Sequence, residues 1–252
     1  MTLAHDIAGD GPCVILLHSS VCDRRMWDPQ WHVLVDAGFR VIRPDFRGYG
    51  ETPAPMSDYD EARDIRDLLD LLGIERAAFV GSSFGGRVAQ EFAARWPSRV
   101  TRLVLLCPAT RLLAPTDDLR AFGAAEDALL EAGDIDGAVD LNVRTWVGPR
   151  AGDSVRDSVA RMQRRAFDVQ LAAPDAAADR DDFDLRQVSA PTMVISGGHD
   201  LDGMQRAAEF LTARIEGAVQ RQLDWAGHLP SLEDPERVNP LLIDFLGAPA
   251  SI

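Results

Sequence analysis

Short apolar runs alternate with longer amphipathic segments along most of this chain. Residues 13–18 (Cys-Val-Ile-Leu-Leu-His), 39–44, 77–80, 100–107, 192–196 and 218–223 are runs of strand length. The apolar positions in several of them are consecutive, which predicts strands buried on both faces. Residues 3–8 predict a short edge strand. Between the runs, helical spacing appears at 26–37, 58–72, 87–96, 204–214 and 235–246. In 58–72 the apolar stripe is Ile65, Leu68, Leu69 and Leu72, and Gly73 stands where a C-terminal cap belongs. Alternating strand and helix predicts an α/β fold, a mostly parallel doubly wound sheet with helices on both faces.

The alternation breaks once. No convincing strand occurs from 110 to 188, and helices are predicted at 117–132, 136–147 and 154–172. The expected organisation is therefore an α/β core (1–109 and 189–252) with a helical cap (110–188) inserted between two core strands. The cap is expected over the carboxyl ends of the strands.

Composition narrows the function more than the fold. With 46% hydrophobic and 26% charged residues, the chain reads as an ordinary globular protein of one large domain. A net charge of −14 argues against nucleic acid and anionic membrane surfaces as partners and does not identify a substrate. No stretch approaches the roughly 20 apolar residues of a membrane span. The first residues lack the basic and apolar regions of a signal peptide, so a cytoplasmic location is expected. Cys13, Cys22 and Cys107 show neither disulfide nor metal spacing, and no metal or cofactor is expected. Oligomeric state is not readable.

The chemistry is concentrated in Gly81-Ser-Ser-Phe-Gly-Gly86, which lies between a predicted strand and a predicted helix. Gly81, Ser83 and Gly85 fit the G-x-S-x-G turn that presents a serine nucleophile, and no phosphate-loop pattern overlaps it. A serine hydroxyl needs a base, and the base needs an acceptor to hold its tautomer. In this turn context the chain order is Ser, Asp or Glu, then His. Of five histidines, His5 and His32 lie outside strand-exit loops and His18 precedes the serine. His228 is the expected base and Asp200 the orienting acid, with His199 and Asp202 as alternatives. The Phe84 and Ser20 N–H groups are the expected oxyanion hole.

Five features carry a family resemblance: 16–20 (Leu-Leu-His-Ser-Ser), 45–50 (Asp-Phe-Arg-Gly-Tyr-Gly), 81–86, 197–200 (Gly-Gly-His-Asp) and 227–230 (Gly-His-Leu-Pro), the last followed by Glu233 and Pro235. In this order and spacing the chain resembles the α/β-hydrolase superfamily over nearly its whole length. Residues 26–30 (Met-Trp-Asp-Pro-Gln) are similar to a segment of enol-lactone hydrolases. The resemblance implies a metal-free serine hydrolase that cleaves an ester or lactone of a small, largely apolar substrate through an acyl-enzyme. It leaves open hydrolysis of a diketone carbon–carbon bond, a cofactor-free peroxidase-like reaction, or a non-catalytic ligand-binding receptor on the same fold. Ser19 departs from the family's usual His-Gly. A serine at 83 sets the chain apart from branches that attack with a carboxylate. Residues 45–50 are expected to shape a turn. Ser19, Cys22, Trp146, Met162 and Phe167 are the expected pocket residues.

Overall fold

The computed structural model describes residues 2–173, 176, 178 and 181–247. Its strands are β1 (His5–Ala8), β2 (Cys13–Leu17), β3 (Arg40–Pro44), β4 (Ala77–Ser82), β5 (Val100–Leu106), β6 (Thr192–Gly197) and β7 (Val219–Leu223). They form one sheet in the order β1-β3-β2-β4-β5-β6-β7. Only β1 runs antiparallel to its neighbour. The helices are α1 (Asp28–Asp36), α2 (Glu61–Leu71), α3 (Phe84–Arg95), α4 (Asp117–Glu131), α5 (Ile135–Trp146), α6 (Asp153–Gln170), α7 (Asp202–Arg214), α8 (Pro230–Glu233) and α9 (Pro235–Gly247).

Each central strand divides its side chains between two cores. Ile15 and Leu17 of β2, Phe79 of β4 and Leu103 and Leu105 of β5 pack with Ile65 and Leu69 of α2, Val88 and Phe92 of α3 and Leu211 of α7. The alternate residues Val14, Leu16, Val80, Val104 and Leu106 pack with Leu34 of α1 and Val238 and Leu242 of α9. Successive side chains of a strand point to opposite faces, so a strand covered on both sides reads as a continuous apolar run. At the sheet edge β7 has half-exposed Val219 beside Gln220, Arg221 and Gln222, polar residues that blunt an open edge.

The three predicted helices of the insert are α4, α5 and α6, between β5 and β6. Val159 and Met162 of α6 and Trp146 of α5 share the second core with Val21, Cys22 and Leu229, residues of the loops leaving β2 and β7. The insert therefore packs against loops that leave the carboxyl ends of β2 and β7. Past α6, Leu185 and Val188 belong to the first core, packed with Phe183.

One helix starts earlier than its pattern suggests. The expected helix at 87–96 is α3, and it begins at Phe84, so Gly85 and Gly86 are helical. The glycines are there for close approach rather than as loop residues. A Cβ on Gly85 would collide with the Leu17 and His18 carbonyl oxygens, the latter at 2.7 Å. Both are backbone atoms and cannot give way by a rotamer change. Gly85→Ala is expected to lower stability by about 3 kcal/mol or more. Urea unfolding checks this: a shift below about 1 kcal/mol would mean that β2 and α3 are not tightly apposed.

Candidate active site

Four loops meet where the insert covers the sheet. The first is the turn from β4 into α3. Ser83 occupies it with φ 52° and ψ −110°, a region that costs a non-glycine residue about 1–3 kcal/mol. The surrounding bonds hold that strain. Ser83 N–H donates to Leu106 O at 2.9 Å, and Ser83 O accepts from Arg87 N–H and Ala109 N–H. The Ser83 backbone is thus pinned at the N-cap of α3, where helix N–H groups lack intrahelical acceptors. Behind the turn, the Arg87 guanidinium lies 4.6 Å from the Phe84 ring centre. It is buried and paired with Glu61 of α2 at 2.7 Å and with Glu91 at 3.0 Å. A buried ionic cluster of this kind contributes placement more than net stability.

The second loop leaves β2 and carries Ser19, Ser20 and Cys22. Gly85 N–H donates to His18 O at 3.0 Å, which presses this loop against the start of α3 beside Phe84. His18 is the clamp. Phe46 N–H donates to its Nε2 at 3.0 Å, and its Nδ1–H donates to Ser19 O at 2.8 Å. That pattern requires a neutral ring, and burial lowers the His18 pKa accordingly. Asp45 and Phe46 belong to the 45–50 segment, whose role is structural as expected. The Asp45 carboxylate accepts from the N–H groups of Arg24 (2.7 Å) and Glu51 (2.9 Å), closing the turn.

The third and fourth loops leave β6 and β7. His228 Nδ1 lies 2.7 Å from Asp200 Oδ2. A carboxylate only accepts, so Nδ1 carries the proton and Nε2 is left as the basic nitrogen. Asp200 Oδ1 accepts from Leu201 N–H at 2.8 Å, which fixes the carboxylate from its other side. Asp200 and His228 are 8% and 2% exposed. The alternatives do not share this place. His199 is exposed, and Asp202 is an exposed partner of Arg206.

Two further residues shape the site. The Glu233 carboxylate accepts from Gly227 N–H at 3.0 Å and from Leu229 N–H at 3.1 Å, bracketing His228. Burial raises its pKa, partly offset by those bonds. In the sequence Glu233 stands out only as part of a family pattern; its spacing from His228 is the signal for a loop-holding role. Cys107 ends the apolar run 100–107, the pattern of a small core residue. It stands at the exit of β5 with φ 43°. Its sulfur lies 3.6 Å from Gly227 O. Burial, and then the Asp200 charge, raise its pKa far enough to keep the thiol protonated. Among the described residues, Cys107, Asp200 and His228 bring three possible metal-ligand atoms within 4.8 Å of one another. Two of these residues are joined by the His228–Asp200 hydrogen bond, and Cys107 is its neighbouring thiol.

The expected pocket residues divide. The Trp146 ring lies 4.5 Å from the His228 ring, centre to centre, and 4.8 Å from Phe122 of α4. Met162 and fully buried Cys22 share the apolar cluster that holds Trp146. Phe167 does not. It packs with Ala138 and Val139 in a separate core of the insert. Five residues along a helix is a rotation of about 140°, which turns Phe167 away from the face that carries Met162. The buried Ser19 hydroxyl has no hydrogen-bond partner among the described residues, and the loop is held by His18.

Residues 14–241 match the model of the Alpha/beta hydrolase family. The chain belongs to this family. Among its relatives, a 2-hydroxy-6-oxononadienedioate/2-hydroxy-6-oxononatrienedioate hydrolase of Paraburkholderia phymatum is 29% identical, over 96% of this chain and 90% of its own. The carboxylesterase YbfK of Bacillus subtilis is 27% identical, over 94% and 81%. The solved enol-lactonase of Burkholderia xenovorans superposes with a TM-score of 0.77 at 28% identity, covering 98% of this hydrolase and 96% of that chain. None of the hydrolase's helices, within the described residues, is long and apolar enough to cross a membrane.

Proposed function

We propose that this hydrolase is a serine esterase or lactonase acting on a small substrate through an acyl-enzyme. The observation that carries the proposal is the strained Ser83 at the start of α3 together with the 2.7 Å His228–Asp200 pair on two neighbouring strand exits. His228 Nε2 takes the Ser83 proton as Oγ attacks the carbonyl carbon. The N–H groups of Phe84 and Ser20 receive the developing oxyanion. The resulting imidazolium is stabilised by Asp200, then gives its proton to the leaving oxygen. Water, deprotonated by the same nitrogen, releases the acid and restores Ser83. The carboxylesterase and the enol-lactonase among the relatives support ester and lactone carbonyls as the substrate class.

Ser83 is 4% exposed and the Trp146 ring lies on His228, so this residue of the insert bounds the approach to the base. The expected result with a fluorophosphonate probe is one covalent adduct, on Ser83, formed by the folded protein and absent when the protein is heat-denatured before the probe is added. Peptide mass mapping locates it. A folded protein that stays unlabelled would favour the non-catalytic receptor. A parallel turnover screen over short esters, lactones and a vinylogous diketone separates carbonyl–oxygen from carbon–carbon cleavage.

A further inference from the structure

Helix α6 carries Arg161 and Arg165 one turn apart on its exposed side. Both face a concave seam of about 410 Å³ between the insert and the core, lined also by Asp23, Arg24, Arg25, Gly50 and Glu51. The chain has 40 acidic side chains against 26 basic ones, all arginine, yet this seam holds four guanidiniums and two carboxylates. Most of that charge on the core side is already committed. Arg24 pairs with Asp6, Asp45 and Glu51. Arg25 gives its Nε and Nη2 to Asp23 and keeps Nη1. On the insert side, Arg164 pairs with Asp136, whereas Arg165 donates only to the Gly50 carbonyl, at 3.2 Å. Neither Arg161 nor Arg165 has a carboxylate partner among the described residues.

An acidic protein that leaves two guanidiniums unmatched in one concavity has an open anion position. We propose that this seam is a carboxylate-binding site, with Arg161 and Arg165 as the clamp and the free edge of Arg25 as a third donor. Guanidinium forks match a carboxylate with paired hydrogen bonds. The four guanidiniums exceed the two lining carboxylates by two charges, so a small carboxylate enters without inverting the charge of the seam. The position also bears on catalysis. Arg25 follows the loop of Ser20 and Cys22, and Met162, the neighbour of Arg161, sits in the cluster around Trp146. The carboxylate has two possible sources. It is the remote acid group of a half-ester or lactone acid, which rests on the esterase or lactonase proposal, or it is a separate small acid that binds without being cleaved.

The test uses succinate, monoethyl succinate and diethyl succinate at constant ionic strength, on the full chain and on R161Q/R165Q. Succinate is expected to raise the Tm of the unsubstituted protein, and the double substitution to remove that rise while leaving the succinate-free Tm in place. If the substrate carries the carboxylate, succinate inhibits competitively. The kcat/KM ratio of monoester to diester then falls at least tenfold in the double variant. If the acid is a separate ligand, the binding loss appears without competition and the ratio holds. Absence of a succinate effect on the unsubstituted protein, or an equal effect on R161Q/R165Q, overturns the site. Absence of turnover of both esters, with binding intact, counts against the esterase proposal alone.

Discussion

Ser83→Ala is expected to lower kcat for a p-nitrophenyl ester by about 10⁴- to 10⁶-fold while the protein remains folded. The size follows from what the hydroxyl does: it supplies the bond to carbon, and no nearby group in the site can replace it. Cys107, the nearest buried thiol to the His228–Asp200 pair, is held protonated by burial and by the Asp200 charge, so it does not substitute as a nucleophile. Alanine also keeps the positive φ of a Cβ-bearing residue, so the backbone strain of the turn is unchanged and the comparison isolates the hydroxyl. Steady-state kinetics with active-site titration checks it. Retention of more than about a hundredth of the activity would remove Ser83 from the mechanism.

Asp200→Asn is expected to cost about 10⁴-fold in kcat with little change in KM. The reason lies in the two bonds of the carboxylate. Oδ1 accepts from Leu201 N–H and Oδ2 accepts from His228 Nδ1–H, at 2.8 and 2.7 Å. An asparagine has one oxygen to offer these two donors. If the oxygen faces Leu201, the amide NH₂ faces His228, and Nδ1 must become the acceptor. The proton then sits on Nε2, where it blocks transfer from Ser83. If the amide is turned round, its NH₂ opposes the Leu201 N–H, donor against donor, and the imidazolium formed during attack loses its counter-charge. Both orientations disable the base while leaving the binding surface in place. A loss below tenfold would mean that Asp200 only shapes the loop, and that His228 takes its tautomer from elsewhere.

The site was legible in proportion to how local its signals are. The elbow is a contiguous pattern, and Ser83 with Phe84 could be read from it directly. Asp200 and His228 were reached by asking which residues follow strands, because in a parallel sheet the exits of neighbouring strands converge. That rule needs only strand positions, which the apolar runs supply. Residues whose roles depend on packing direction were not reached. Periodicity marks a helix face as apolar without saying what it meets, so Met162 and Phe167 looked equivalent on α6. Only the docked insert turns one toward Trp146 and the other into its own core. Cys107 looked like any residue closing an apolar strand, because its approach to Asp200 spans two strand exits. The short helix α8 was missed because four residues are too few to show a period.

By itself, then, the amino-acid sequence determined the α/β class, the strand positions, the helical insert and the three residues expected to carry the chemistry. Each is encoded by a contiguous pattern or by order along the chain. Tertiary structure alone decided that His18 is a neutral clamp, that Glu233 brackets His228, that Trp146 lies on His228, and that Arg161 and Arg165 share a seam with Arg25. Those roles depend on which surfaces face each other after folding. Distances between segments far apart in the chain have no signature in residue spacing, and burial and unmatched charge exist only once the surfaces have met.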